Sequence, residues 1–199
     1  MKQNDIFLGN AAPALAEFKD FVLKWQKSVN LISPSTTGDI WNRHVLDCAQ
    51  LYALIPTTAK KLVDMGTGGG FPGVVLAIMN KELTGQLDEI YFIESDIKKS
   101  VFLKEAVRTF GLNATVLNER IENVRLKGID VVTARALKDL SALIKMGQGF
   151  IMPQTTCLFL KGERADEEIK NNPYPCRLTK IPSKTSLNGT ILEIGDIRV

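Results

Sequence analysis

The stretch from Asp64 to Gly73 combines residue types that can hold a small charged ligand. A short apolar run ends at Asp64, and Gly68, Gly70 and Gly73 follow with the spacing Gly-x-Gly-x-x-Gly. Glycine reaches backbone conformations with positive φ and lets a ligand approach the main chain closely. The spacing matches the loop that binds dinucleotides, whereas the Gly-Lys-Ser/Thr ending of a nucleoside-triphosphate loop is absent.

The carboxylate of Asp64 distinguishes between two ligands that fit such a loop. It would repel the pyrophosphate of a nicotinamide dinucleotide, which is normally left to a neutral turn rich in N–H groups. It suits S-adenosylmethionine, whose ammonium and sulfonium groups are cationic. A second interpretation stays open, in which Asp64 only caps the loop by accepting a backbone N–H. The stretch therefore favours S-adenosylmethionine, with Asp64 and Gly68 as cofactor-binding candidates.

Further candidates follow the later predicted strands, because ligands of a parallel sheet bind at the carboxyl ends of its strands. Glu94 can accept both hydroxyls of a ribose diol, or it can cap the following helix. Ile121 offers an apolar surface to adenine, and Glu122 either accepts the exocyclic amine or faces solvent. Arg135 can clamp the methionine carboxylate or a substrate phosphate. The competing interpretation of Arg135 is a salt bridge to Asp64 or Glu94, and the sequence leaves a catalytic role for it open.

Two pairs of basic residues are candidates for contacting RNA. Lys98 and Lys99 fall in the first turn of a predicted helix, where the helix macrodipole disfavours cations. An RNA-contacting surface explains that position, and ordinary solvation is the alternative. Arg43 and His44 lie on an earlier predicted helix, where a solvated turn is equally compatible. The net charge of +3 permits an anionic partner without requiring one.

The composition is typical of one globular domain, with 45% hydrophobic and 24% charged residues among 199. No apolar run approaches the roughly 20 residues of a membrane span, and Met1–Asp5 lacks the apolar stretch of a leader. Three cysteines, Cys48, Cys157 and Cys176, form no closely spaced pair, which indicates reduced thiols in a cytoplasmic protein. With one histidine, His44, no metal site is expected.

Helical and strand patterns divide the chain into two parts within a single predicted domain, residues 1–199. Residues 1–58 form a helical extension, with one amphipathic helix over 11–28 and a second from Asp39, as N-cap, to Leu54. Residues 59–199 form the core, in which strands alternate with helices. That alternation predicts a mostly parallel sheet with helices on both faces. The predicted strands are Leu62–Asp64, Ile90–Glu94, Thr115–Leu117, Val131–Thr133 and Thr156–Lys161, and the predicted helices are Gly73–Lys81, Lys98–Phe110, Leu137–Gly147 and Glu163–Asn171, with a short turn at Arg120–Val124.

The C-terminal segment departs from this alternation. Arg177–Ile181 and Thr190–Ile197 both read as strands, and the turn signal Asn188-Gly189 lies between them. An antiparallel hairpin is therefore expected at the end of the parallel sheet.

Several segments together resemble the small-subunit ribosomal RNA guanine-N7 methyltransferases, also called glucose-inhibited division protein B. They run in the family's order over about residues 15–165. The segments are Asn30-Leu31-Ile32-Ser33, Arg43-His44-Val45-Leu46-Asp47, Asp64 to Gly73, Glu94-Ser95-Asp96-Ile97-Lys98-Lys99, Arg120-Ile121-Glu122 and Thr133-Ala134-Arg135-Ala136.

The resemblance implies a class I, Rossmann-like methyltransferase fold, S-adenosylmethionine as methyl donor and a guanine of small-subunit (16S) ribosomal RNA as acceptor. It places the family's cofactor positions on Gly66, Phe71, Ile121, Glu122 and Arg135. It also implies naked RNA or an assembling small subunit as partner. Nothing in the sequence suggests an obligate second chain, so a monomer is expected.

The absence of an obvious catalytic base agrees with this chemistry. Guanine N7 carries a lone pair and no proton, so positioning of the acceptor is sufficient for methyl transfer. The alternative function is an NAD(P)-dependent oxidoreductase that uses the same glycine-rich loop. An oxidoreductase of this kind needs a second domain for its substrate and a proton donor near the path of the hydride. The sequence offers no clear candidate for that proton donor. A third class, an inactive RNA-binding module, would differ from both in binding neither cofactor.

Overall fold

A computed structural model describes residues 8–198, which form one seven-stranded sheet with helices on both faces. Met1–Asp5, on which the expectation of no leader rests, lie outside the described residues. The strand order is β3-β2-β1-β4-β5-β7-β6, and β1 to β5 run parallel. The strands are β1 (Lys61–Met65), β2 (Glu89–Ile93), β3 (Ala114–Leu117), β4 (Val131–Arg135), β5 (Thr156–Lys161), β6 (Arg177–Pro182) and β7 (Thr190–Gly195).

The centre of the sheet is formed by β1 and β4, whose runs of apolar residues are buried almost throughout. Continuous apolar runs of this kind are expected of parallel strands that are covered on both faces. In the register of the sheet, Asp64 lies beside Phe92 of β2 and Thr133 of β4. The pairing therefore brings a hydroxyl next to the only acidic residue of β1.

The five predicted core strands and the C-terminal hairpin are confirmed. Strand β7 is antiparallel to both β5 and β6 and lies between them. Residues 183–189 connect β6 to β7, and the predicted turn residues Asn188 and Gly189 end that connection. The hairpin thereby brings residues 183–189 to the same edge of the sheet as the end of β5.

The helices of the core have the predicted order: α4 begins one residue earlier than predicted, α5 and α6 are shorter, and α3 continues into a π-helical stretch, Asn80–Thr84. They are α3 (Gly73–Met79), α4 (Ile97–Phe110), α5 (Leu140–Met146) and α6 (Ala165–Lys170), and a single 3₁₀ turn covers Ile121–Asn123. Helix α5 begins three residues later than Leu137 because the Asp139 side chain caps it by accepting from the Ala142 N–H. Ala136 has a φ of 49°, so the chain leaves β4 through a sharp turn before the helix starts.

The N-terminal extension contains one regular helix, α1 (Ala12–Gln26), and an irregular helical segment over residues 34–54. The predicted second helix ends at Leu54 as expected, but Asp39 does not cap it and its geometry is not that of a regular α-helix. The helical segment begins at Pro34. The Asp39 side chain accepts a hydrogen bond from the side chain of Asn42 and none from the backbone. The segment consists of a 3₁₀ stretch (Pro34–Asp39), a π-helical stretch (Trp41–Leu46), the single turn α2 (Asp47–Ala49) and a second 3₁₀ stretch (Gln50–Leu54).

The extension packs on the face of the sheet that carries α3 and α4. Phe18 of α1 is fully buried and contacts Phe71 and Phe110, with ring centroids 5.5 and 5.8 Å apart. Phe21 of α1 packs on Phe102 of α4 in the same way. One apolar core therefore holds the extension against the glycine-rich loop. No helix within residues 8–198 has the length and hydrophobicity needed to cross a membrane.

Candidate cofactor site and adjoining cleft

The glycine-rich loop joins β1 to α3 and is held to the neighbouring strand β2. The N–H groups of Gly66 and Thr67 both donate to the carbonyl of Ile93, at 2.9 and 3.1 Å. Gly66 and Gly68 have φ values of 66° and 55°, which side chains with a Cβ rarely adopt. A Cβ on Gly66 would lie 2.9 Å from Cδ1 of Leu137, so this glycine also allows the loop after β4 to pack closely. The bare main chain forms a cradle that fits an adenosine-containing cofactor.

Asp64 is the buried anchor of this loop. Its side chain is fully buried, and its two oxygens accept from the Gly73 N–H at 3.0 Å and the Thr133 hydroxyl at 2.6 Å. Burial raises the pKa of Asp64 to about 7, against the opposing effect of these hydrogen bonds. The predicted direct contact with a cationic ligand does not fit a carboxyl group that has no exposed surface. The contacts of Asp64 agree with the interpretation that it caps the loop, because its carboxylate accepts from the Gly73 N–H and so joins β1 to the start of α3.

The carboxylate of Glu94 lies at the mouth of the loop, with 9% of the residue exposed. One oxygen accepts from the Gly68 N–H at 2.9 Å and the other from the Asp96 N–H at 2.8 Å. The capping of α4 belongs to Asp96, whose side chain accepts from the Lys99 N–H at 2.9 Å. A carboxylate accepts up to about four hydrogen bonds. Glu94 therefore keeps acceptor capacity for the predicted ribose hydroxyls.

Among the remaining cofactor candidates, Ile121 and Phe71 are buried and Glu122 is exposed to solvent. Ile121 is buried within the apolar core on the α5 side of the sheet, whereas the Glu122 side chain is exposed. The ring of Phe71 is buried between Phe18 and His44, with centroids 5.5 and 5.1 Å away. Phe71 therefore supports the loop through packing on the N-terminal extension.

Arg135, at the end of β4, binds the N-terminal extension. Its guanidinium donates to Nδ1 of His44 at 2.7 Å and to the carbonyl of Arg43 at 2.6 Å. Its Nε lies 3.4 Å from Oδ2 of Asp47. The interpretation of Arg135 as a partner of Asp64 or Glu94 is wrong, because the π-helical stretch presents His44 and the following turn presents Asp47 to it.

His44 is a buried, neutral imidazole in this arrangement. Only 8% of the residue is exposed, and its second ring nitrogen lies 2.9 Å from the Thr36 hydroxyl. Burial, and then the nearby charges of Arg135 and Arg43, lower the pKa of His44 to about 4. Because Nδ1 accepts from Arg135, the ring proton lies on Nε2 and is donated to Thr36. The prediction that His44 contacts RNA directly does not fit this geometry.

Three of the predicted RNA-binding side chains are available at the surface. Arg43 and Lys98 are exposed, and Lys99 is half-buried. Lys98 and Lys99 form no ion pair with an acid within the described part of the chain. Both lie in the first turn of α4, next to the strand end that carries Glu94.

Two adjoining cavities lie beyond the glycine-rich loop, over the carboxyl ends of β4 and β5. The larger has a volume of about 930 Å³, is open to solvent and is lined by the loop after β4, the loop after β5 and α6. The smaller, of about 470 Å³, lies between the N-terminal extension and residues 185–190. They share a wall that includes Ala136 and Lys161. We call the two together the cleft.

The cleft was not predicted from the sequence. Its walls come from the loop after β5 and from α6, and these segments carry no recognisable motif. The one available signal was the density of charged residues from Lys161 to Glu168, directly after a buried strand. Leu137 joins the two sites, because it lines the larger cavity and also covers Gly66.

Comparisons with known proteins agree with this architecture. The sequence model of the family described as "GidB: rRNA small subunit methyltransferase G" matches residues 11–189. The ribosomal RNA small subunit methyltransferase G of Rhodospirillum centenum is 40% identical over 185 residues, which cover 92% of this chain and 83% of that protein. The protein of the same name from Dinoroseobacter shibae is 40% identical over 184 residues, covering 92% and 94% of the two chains.

The fold is also found among solved structures. A SAM-dependent methyltransferase from Aquifex aeolicus superposes with a TM-score of 0.57 at 14% identity, covering 88% of this chain and 97% of that one. At this identity the likeness concerns the fold alone, and it confirms the predicted class I methyltransferase architecture. The family model and the curated relatives are rRNA small subunit methyltransferases, so the oxidoreductase alternative has no support. The chain belongs to the rRNA small subunit methyltransferase G family and is an S-adenosylmethionine-dependent methyltransferase.

Proposed function

We propose that the protein transfers a methyl group from S-adenosylmethionine to N7 of a guanine in small-subunit ribosomal RNA. The proposal rests on one observation: Leu137 contacts both the glycine-rich loop and the larger cavity of the cleft. The glycine-rich loop and Glu94 form a cradle for an adenosine cofactor, and Leu137 separates that cradle from a cavity of about 930 Å³. A cavity of this size can enclose a nucleotide.

In the proposed complex the main chain at Gly66 and Gly68 approaches the cofactor, and Glu94 accepts hydrogen bonds from its ribose. Ile121 and Glu122 flank the adenine. Bound S-adenosylmethionine supplies an electrophilic methyl group. Asp64 has an indirect task, because it fixes the loop conformation through Gly73.

The acceptor base needs positioning and no deprotonation. The lone pair of N7 forms the new bond to the methyl carbon as the carbon–sulfur bond breaks, and the electron pair of that bond stays on sulfur. Every atom is accounted for without a proton acceptor. Catalysis therefore comes from holding N7 in line with the breaking bond in the cleft. Asp64 and His44 are buried and take no part in the transfer step, and Glu94, which contacts the loop through the Gly68 N–H, binds the ribose.

Arg135 is a candidate to bind the methionine carboxylate or a substrate phosphate in the complex, whereas all its partners in the described structure belong to the N-terminal extension. Its present partners are His44, Asp47 and the carbonyl of Arg43. We propose that it holds the N-terminal extension against the cleft, and that reaching the methionine carboxylate would require it to release Asp47. Arg43, Lys98 and Lys99 then supply the cations that meet RNA phosphates.

The proposal extends to the molecular setting. The extension over residues 1–58 and the core over residues 59–199 act as one methyltransferase domain, and the shared apolar core supports this. We place the protein in the cytoplasm as a monomer, acting on ribosomal RNA, either free or in an assembling small subunit. Three free thiols, at Cys48, Cys157 and Cys176, agree with a reducing compartment.

The direct test is in vitro methylation with isotope-labelled S-adenosylmethionine. The purified protein is incubated with small-subunit RNA or with small subunits, and nuclease fragments are sequenced by mass spectrometry. We expect a single labelled 7-methylguanosine. A label on a different nucleoside, or no label on either substrate, would contradict the proposal.

A further inference from the structure

Within residues 8–198, four polar side chains that line the larger cavity have no hydrogen bond or ion pair, those of Lys138, Arg164, Glu167 and Asn171, and Glu167 is the one acid among them. Helix α6 contributes Glu167 to its wall. Within residues 8–198 the Glu167 carboxylate accepts no hydrogen bond and forms no ion pair, although its backbone carbonyl is used by Asn171.

The other carboxylates of that wall are occupied. Glu168 accepts from the Leu140 N–H at 2.9 Å and pairs with Lys161 at 2.7 Å. Asp139 caps α5 and also accepts from the Ser141 hydroxyl at 2.9 Å. Glu163 accepts from the side chain of Asn188 at 2.6 Å. Among the described residues, Glu167 is thus the carboxylate of this cavity that has no internal partner, whereas Glu163 has one and Asp139 and Glu168 have more.

A buried ion pair fixes the wall that carries Glu167. The Lys161 side chain is 7% exposed, and besides Glu168 it donates to the carbonyl of Lys138 at 2.6 Å. These contacts tie α6 to the end of β5 and to the loop after β4. Because they hold α6 in place before any ligand enters, the position of Glu167 is set by the fold.

We infer that Glu167 recognises the Watson–Crick edge of the acceptor guanine, an inference that rests on the proposed function. Guanine presents N1–H and N2–H donors on one side of its ring system and N7 on the other. A carboxylate is the acceptor that matches two adjacent N–H donors. Adenine presents an acceptor at N1 and no 2-amino group, so the same carboxylate rejects it.

The strand order determines which edge of the guanine faces the cofactor and which edge faces α6. Moving along the sheet from the cofactor loop after β1, one meets the loop after β4 and then the loop after β5 with α6. Two strand spacings, about 10 Å, separate the first from the last. A purine whose N7 faces Leu137 and the cofactor therefore extends its N1–H and N2–H donors toward α6.

The same contact gains strength during methyl transfer. N7 becomes positively charged as its lone pair forms the new bond, and the charge spreads over the ring and makes N1–H a stronger donor. A carboxylate on the opposite edge stabilises that charge more in the transition state than in the ground state. Glu167 would therefore raise turnover as well as selectivity, without accepting a proton.

The experiment measures kcat/KM for RNA in which the acceptor is guanosine or inosine, with wild-type protein, Glu167→Gln and the control Asp166→Asn. Inosine keeps N7 and N1–H but lacks the 2-amino group. Asp166 lies on the same helix, is paired with Lys180 and does not line the cavity. Glu167 is exposed, so the substitution leaves the fold intact, which S-adenosylmethionine titration verifies.

We expect wild-type protein and D166N to prefer guanosine over inosine by roughly fivefold or more, a usual scale for one specific base contact. In E167Q, kcat/KM for guanosine falls about tenfold or more and the preference falls to one or below, because the amide N–H₂ opposes the 2-amino group. An unchanged preference in E167Q, or no preference in the wild type, overturns the role of Glu167. Absence of transfer by the wild type to any RNA instead overturns the proposed function, and this inference with it.

Discussion

Glu94, Asp64 and Arg135 each place a charge at or next to the carboxyl end of a strand, yet their surroundings give them different roles. Glu94 is at the mouth of the loop and keeps acceptor capacity. Asp64 is fully buried and holds the loop. Arg135 is bound to the extension through His44 and Asp47. The charge at a strand end is visible in the sequence, but its partners are set by packing.

Replacing Glu94 by Ala tests the ribose contact. We expect S-adenosylmethionine affinity to fall by roughly 1.5–3 kcal/mol, the range for hydrogen bonds to a charged group. Calorimetric titration measures the loss, and Glu105→Ala, on the outer part of α4, is the control. Unchanged affinity in a folded E94A protein would show that the ribose does not bind there.

Replacing Asp64 by Asn tests the buried carboxyl group through the pH dependence of stability. The folded pKa of about 7 lies above the ordinary value of 3.8, so burial favours the protonated form. That stabilisation is complete below about pH 4 and is lost as the pH rises to about 7, whereas Asn stays neutral. The stability of D64N relative to wild type should therefore rise over this window, by up to about 1.4 kcal/mol per pH unit.

Urea unfolding at several pH values measures this difference. The lowered pKa of His44 makes the stability of both proteins fall as the pH drops from about 6.5 toward 4, and this contribution cancels in the comparison. A difference that is independent of pH would mean that Asp64 is ionised throughout.

At the scale of elements, the irregular segment over residues 34–54 joins three parts of the protein. Asp47 pairs with Arg135 of β4, and its other oxygen accepts from Thr185 at 2.8 Å and Gln50 at 3.0 Å. Gln50 in turn accepts from the Lys184 N–H at 2.9 Å. The segment thereby fixes residues 183–189 beside the smaller cavity. π-helical stretches are rare and are often found at functional sites, and here the stretch and the turn that follows it present His44 and Asp47 to Arg135.

Replacing Asp47 by Ala should release the connection between β6 and β7. Without the carboxylate, Arg135 loses its ion pair and the Thr185 hydroxyl loses its hydrogen-bond acceptor. We therefore expect the free energy of unfolding to fall by about 1–3 kcal/mol. Native-state hydrogen exchange should show faster exchange of the Lys184 and Thr185 amides, with strands β1 and β4 unaffected. Unchanged exchange at residues 183–189 would contradict the tethering role.

The first turn of α4 is the second element with a testable surface. Replacing Lys98 and Lys99 together by Ala should weaken RNA binding and leave S-adenosylmethionine affinity nearly unchanged. Each phosphate contact that is lost should flatten the plot of log affinity against log salt by about one unit. The control replaces Lys60 and Lys127, which precede β1 and β4 at the opposite edge of the sheet. An equal slope for both double variants would mean that Lys98 and Lys99 are only solvated.

At the scale of the whole molecule, the sheet and its cofactor edge were predictable, whereas the cleft was not. Apolar runs and the glycine loop have local causes, so β1 to β5, the hairpin and the loop follow from short stretches of sequence. The cap expected at Asp39 is wrong, and the partners of the π-helical stretch are distant in sequence: Arg135, about 90 residues away, donates to the carbonyl of Arg43. His44 is a second example. In the sequence it is adjacent to Arg43 and was a candidate for contacting RNA, but in the structure it is buried and bonded to Arg135 and Thr36.

The central claim is that N7 of a guanine accepts the methyl group without a base. It is tested most directly by replacing the target guanosine in the RNA with 7-deazaguanosine, which keeps the Watson–Crick edge and has C–H in place of N7. We predict that binding is largely retained and methyl transfer is abolished, while transfer to the unmodified RNA varies little between roughly pH 6.5 and 8.5. Methylation of the 7-deazaguanosine RNA at the normal rate would place the acceptor on another atom and contradict the claim.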